Sequence, residues 1–197
     1  MSQIIEAMSD VDLLGMIVGS KTAAQLLKDA GGSLSKVLYE SMPSCNVRPR
    51  VRTKLRIATE LVRRSLIEPM RQRDVLTSPA SVRDYLRMTL TGRDYEVFMV
   101  LFLDAQHRVL ESEEMFRGTL TQTSVYPREV VKRSLVNNAA AVIFAHNHPS
   151  GVAQPSHADE LLTRSLKDAL ALVDVKVLDH FVVAGSAVMS FAERGLL

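Results

Sequence analysis

The sequence predicts an α/β protein: a layered domain with a central sheet, preceded by a small all-α part. Three observations carry that expectation. Val97–Leu103 and Ala139–Ala145 are continuous apolar runs, the mark of strands buried on both faces. Leu161, Leu162, Leu166, Ala169, Leu170 and Val173 make an amphipathic helix between the second run and a further strand. Charge is uneven: between Arg48 and Arg73 nine basic residues face two acids, although the 197-residue chain carries a net charge of only +2. The expected division is 1–75 and 76–197.

In the first part, Val11, Leu14, Ile17 and Val18 recur at helical spacing until Gly19-Ser20. Ala23–Lys28 starts a second helix, closed by Gly31-Gly32, and Ser33 is placed to cap a third. Thr53–Ile67 puts Leu55, Ala58, Leu61, Val62 and Leu66 on one helical face. In the second part, Ser78-Pro79 reads as a helix start, with Val82, Tyr85 and Leu86 inward and Gly92 at the end. After the Val97–Leu103 strand comes a turn at Asp104–His107, then strands at Val109–Met115 and Gly118–Ser124. Pro127 opens a helix that ends near Asn137-Asn138, and His146–Ser156 reads as a loop after the Ala139–Ala145 strand. Lys176–Ala184 and Ala187–Phe191 are the last strands.

Composition excludes several classes. One cysteine, Cys45, forbids an internal disulfide framework, a four-cysteine zinc site and the cysteine pair of a zinc deaminase. There is no apolar run of about 18 residues, so no membrane partner is expected. The acidic N-terminus lacks the basic flank of an export signal, so the expected location is cytoplasmic.

The chemistry concentrates in His146-Asn147-His148-Pro149-Ser150-Gly151 and Ser156-His157-Ala158-Asp159. In extended backbone His146 and His148 share one side, and Asp159 opens the next helix. Two imidazoles and a carboxylate leave a fourth position open, the donor pattern of a catalytic zinc site. Ser156-x-x-Asp159 is equally a capping box, and the two roles are compatible.

His146-x-His148, ten intervening residues and Asp159, with Ser156 three before it, resembles the JAMM (MPN+) metalloprotease motif. HNHPSG, the later LDHFVV block, Leu101–Asp104, Phe116–Thr119 and Tyr126–Glu129 together resemble the bacterial RadC family over about 76–197. The resemblance implies an α-β-α layered JAMM/MPN-like, cytidine-deaminase-like domain with a mixed sheet. It implies zinc as cofactor, held by His146, His148 and Asp159, and a protein or peptide substrate. It also implies Glu96 as general acid/base, ahead of Glu111, Glu113, Glu114 and Glu129, and Ser156 at the oxyanion. The expected activity is hydrolysis of a peptide or isopeptide bond.

His157 reads as surface, His107 as a turn residue, His180 as a hydrogen-bonded residue near the site, and Asn147 as an organiser of the loop. Relatives of this kind carry a helix-hairpin-helix-like module, but Pro43–Arg50 lacks its glycine turn, so the module here is degenerate. Arg48, Arg50, Arg52 and Lys54 remain candidates for DNA phosphates. The alternative expectation is therefore a DNA-associated repair or recombination protein whose metal site is structural or vestigial.

Overall fold

A computed structural model describes residues 5–39, 48–118 and 125–197. The chain divides between Arg64 and Ser65 into two compact units. The first contains α1 (Asp10–Val18), α2 (Ser20–Asp29) and α3 (Leu34–Tyr39), and α4 (Pro49–Gln72) crosses the division. Ser9 caps α1 by accepting the Asp12 N–H. Gly19, at φ +93°, both ends α1 and begins α2, a conformation that favours glycine. Leu14, Ala23, Leu26, Leu27, Val37, Val51 and Leu55 form the core of this unit.

Helix α4 is longer than expected, and its apolar stripe is not buried throughout: Leu61 and Val62 are 62% and 48% exposed. The reason is that α4 serves two cores. Val51 and Leu55 join the first, Ile67 and Met70 the second, and the turns between belong to neither.

The second unit continues with a 3-10 turn (Val75–Thr77), α5 (Pro79–Leu90), β1 (Val97–Leu103), β2 (Val109–Arg117) and α6 (Pro127–Val136). It closes with β3 (Ala141–Asn147), α7 (His157–Ala171), β4 (Lys176–Ala184) and β5 (Ala187–Ser190). The strands form one mixed sheet in the order β2-β1-β3-β4-β5. Only β3–β4 is parallel, and α7 is its crossover. Alternation along the buried strands separates two cores. Met99, Leu101, Leu103, Ile143 and Ala145 pack with Val82, Tyr85, Leu86 and Leu90 of α5. Phe98, Val100, Phe102, Val142 and Phe144 pack with Val130 of α6 and Leu166 and Leu170 of α7. This is the layered α/β architecture expected, with helices on both faces of the sheet.

Two boundaries are corrected. β3 runs on through His146 and Asn147, which the sequence assigned to a loop, because both residues pair with β4 at Val182 and Val183. Gly118 lies just beyond β2, and the rest of the strand expected at Gly118–Ser124 lies outside the described residues. Ser78 does precede α5, but its hydroxyl meets Ser81 Oγ rather than a backbone N–H. Among the described residues, no helix is long and apolar enough to cross a membrane.

Candidate metal centre

The end of β3 and the head of α7 assemble the site. In the antiparallel β1–β3 register His146 lies opposite Phe98, so the first ligand candidate stands beside the start of β1. The pleat sends Asn147 the other way, and it is buried. Its Oδ1 accepts the Val97 N–H at 2.8 Å and its Nδ2 donates to the Tyr95 carbonyl at 2.9 Å. One amide therefore grips the chain on both sides of Glu96. His148 follows the strand, and its own N–H donates to the Val183 carbonyl at 2.8 Å. The turn through Gly151, at φ +79°, carries the chain to α7.

Ser156 caps α7 in a reciprocal capping box. Asp159 N–H donates to Ser156 Oγ at 3.2 Å, and the Ser156 N–H and O–H both donate to Asp159 Oδ2 at 2.7 Å. The box holds the Asp159 carboxylate over the end of β3, at the positive end of the helix dipole.

His146 Nε2 and His148 Nε2 lie 3.0 Å apart, and they approach Asp159 Oδ1 and Oδ2 at 3.4 and 3.5 Å. Among the described residues this is the one group of three or more His, Cys, Asp or Glu side chains able to share an ion. Zinc–nitrogen bonds of about 2.0–2.1 Å at tetrahedral angles separate donors by about 3.3 Å, close to what is found here. Hydrogen bonding points the same way. His148 Nδ1 meets the Val152 carbonyl at 2.8 Å, which fixes its hydrogen on Nδ1 and leaves Nε2 as an acceptor. The carboxylate is also an acceptor, so a proton or a metal ion between these atoms is favoured. The donor set fits zinc.

The electrostatics agree. Burial favours the neutral acid at Asp159, but hydrogen bonds to His146 and His148 override it and keep the carboxylate ionised far below the usual range. The hydrogen bond to Asp159 raises the affinity of His148 for a proton above its usual value, against the burial of the ring, and the charge of Glu96 adds to the rise.

Glu96 is half-buried immediately before β1. Its competitors are engaged elsewhere: Glu113 with Arg133 and Asn137, Glu114 with Arg93, Glu111 near Arg71, and Glu129 near Arg128. His157 is exposed on the first turn of α7 and is not part of the group. His107 sits beside Asp74 in the turn after β1. Arg48, Arg50 and Arg52 are exposed, whereas Lys54 donates to the Ile17 carbonyl at 2.8 Å and so satisfies the end of α1. Cys45 lies outside the described residues.

Two residues stand behind the site, His180, which the sequence reading expected as a hydrogen-bonded residue near it, and Thr163. His180, on β4, is fully buried between Phe98 and Phe144 and stacks on Phe191 at 4.7 Å. The ring is fully enclosed and neither nitrogen meets a carboxylate, so it is neutral, and burial correspondingly drives its pKa well below the usual value. Its Nε2 meets His146 Nδ1 at 2.8 Å and its Nδ1 meets Thr163 Oγ1 at 2.6 Å. Thr163 was not singled out at all. The available signal was a polar residue on the buried face of α7, one turn after Asp159.

The profile described as "RadC-like JAB domain" matches residues 76–196. Among curated proteins the chain is similar to UPF0758 proteins of several bacteria. It is 53% identical to that of Nitrosomonas eutropha over 201 residues, covering 96% of this chain and 90% of the relative. It is 54% identical to those of Leptothrix cholodnii, covering 97% and 91% of the two chains, and Dechloromonas aromatica, covering 97% and 90%.

Proposed function

We propose, for a chain that belongs to the RadC-like JAB-domain family, that it is a zinc-dependent hydrolase of peptide or isopeptide bonds. The observation that carries the proposal is the convergence of His146 Nε2, His148 Nε2 and the Asp159 carboxylate on one point at the end of a buried strand. His146, His148 and Asp159 would hold the ion. When bound, zinc supplies Lewis-acid polarisation and makes water acidic enough to lose a proton near neutral pH.

The remaining work falls to the chain. Glu96, held in place by the Asn147 amide on either side of it, takes the proton of the attacking water. It then returns that proton to the amine nitrogen as the C–N bond breaks. Ser156, exposed at the head of α7, supplies a hydroxyl for the negative charge that develops on the carbonyl oxygen by turning its hydrogen away from Asp159 Oδ2, which still accepts from the Ser156 N–H.

Metal analysis of the purified chain is the first test. About one zinc per chain is expected in the wild type and none in the His146→Ala, His148→Ala double variant. Glu96→Gln is expected to keep its zinc while losing at least about a hundredfold of turnover on peptide or isopeptide probes. A wild-type chain that takes up no zinc when it is supplied contradicts the proposal.

A second reading has its own support, the exposed Arg48, Arg50 and Arg52 in the first unit. In it the chain acts on DNA through these side chains, and the metal site stabilises the fold.

A further inference from the structure

His146 can offer a lone pair from Nε2 only if its hydrogen sits on Nδ1, and Nδ1 faces a second histidine rather than a carbonyl. A histidine pair does not by itself decide which ring donates. The decision comes from farther back. Thr163 Oγ1 lies 2.6 Å from the Asp159 carbonyl oxygen and 2.6 Å from His180 Nδ1. A carbonyl has no hydrogen to give, so the single hydroxyl hydrogen of Thr163 points at it. Thr163 Oγ1 is then an acceptor toward His180, whose hydrogen must be on Nδ1. A neutral ring has one N–H, so His180 Nε2 is bare and accepts from His146 Nδ1–H. His146 Nε2 is thereby left bare as well.

We propose that Thr163, acting through His180, is the positioning device that sets the tautomer of His146 and so prepares the site for metal. The chain of hydrogen bonds runs from His146 through His180 and Thr163 to the main chain of Asp159. It begins and ends on residues of the same ligand group, and every link but the first ligand's outer nitrogen is enclosed. His180 and Thr163 are 0% and 2% exposed, so water cannot replace a missing partner. The reverse arrangement, with Thr163 donating to His180, would set two oxygens 2.6 Å apart with no hydrogen between them and would put the hydrogen of His146 on the nitrogen that faces the ion. This inference rests on the metal-centre reading above and adds the residues that orient it.

The test uses the full chain. Two-bond nitrogen–proton NMR on histidine-labelled, metal-free protein reads the tautomer of His146, and competition with a chromogenic chelator reads the affinity for zinc. The wild type is expected to show His146 protonated on Nδ1, and Thr163→Ser is expected to match it because the hydroxyl is kept. Thr163→Val keeps the β-branched shape but removes the acceptor from His180 Nδ1–H. His180 then carries its hydrogen on Nε2, His146 shifts to the Nε2–H form, and zinc affinity falls by about ten- to a hundredfold. His146 protonated on Nε2 in the wild type overturns the inference without any variant. So does a folded Thr163→Val chain with unchanged tautomer and affinity. Failure of the wild type to bind zinc is a separate outcome: it removes the metal reading on which the inference rests.

Discussion

At the residue scale, the grouping of His146, His148 and Asp159 was legible because its spacing is chemical. Two histidines at the end of an apolar run have no packing purpose, and Asp159 begins the next helix. The capping role of Ser156 was equally legible, and the structure realises it. What could not be read was how the residues behind this group connect. Thr163 looks like an ordinary member of an apolar helix face, and its meaning appears only when β4 brings His180 beside it. The same holds for Asn147, whose partners lie some fifty residues earlier. The electrostatics of His148 set a pH dependence. Its pKa is raised by the hydrogen bond to Asp159, while zinc binds the neutral ring. Zinc affinity is therefore expected to fall as pH drops through that raised value, by up to about tenfold per unit, starting above the usual 6.5. The metal-free fold has the opposite trend: the stability contributed by His148 is present below 6.5 and lost as pH rises through the raised pKa. Chelator competition at pH 6 and pH 8 checks the first statement, and equal affinities would contradict it.

At the element scale, β1 was readable from sequence to the residue, since all seven of its residues are buried and apolar. The end of β3 was misplaced because His146 and Asn147 are polar, and polarity was taken as a sign of loop. Their hydrogen bonds are satisfied inside the fold, so the strand continues. Helix α7 was readable from its apolar face, and it matters twice: it covers the sheet and it delivers Asp159. Leu166, fully buried on α7 against Phe144 and its neighbours, ties the two roles together. Leu166→Ala is expected to destabilise the second unit by about 2–5 kcal/mol, as cavities in close-packed cores do. Chemical denaturation followed by circular dichroism measures it.

At the scale of the whole molecule, the division into a basic helical part and a layered α/β part follows from composition. The extent of α4 does not. A sequence pattern can show which positions of a helix are apolar, but not that one helix is shared between two cores. The exposure of Leu61 and Val62 is the result. The charge asymmetry also gives the second functional reading its test. If DNA binds, changing Arg50 and Arg52 to Gln should weaken binding and lower the slope of log affinity against log salt by about one to two, with zinc content unchanged. Lys54 is committed to the end of α1, so Lys54→Met should perturb the fold of the first unit more than any salt dependence. Electrophoretic titration across a salt series distinguishes these outcomes.

The order of residues along the chain has a consequence for how the centre comes into being. His146 and His148 precede His180 by more than thirty positions, and His180 lies on β4. During synthesis the two histidines proposed as ligands leave the ribosome before the ring proposed to orient one of them, and Asp159 and Thr163 emerge in between. An ion captured early would meet histidines free to present either nitrogen. If the group binds zinc as proposed, the centre is completed only after β4 has been made, so metal selection would follow the closure of the sheet.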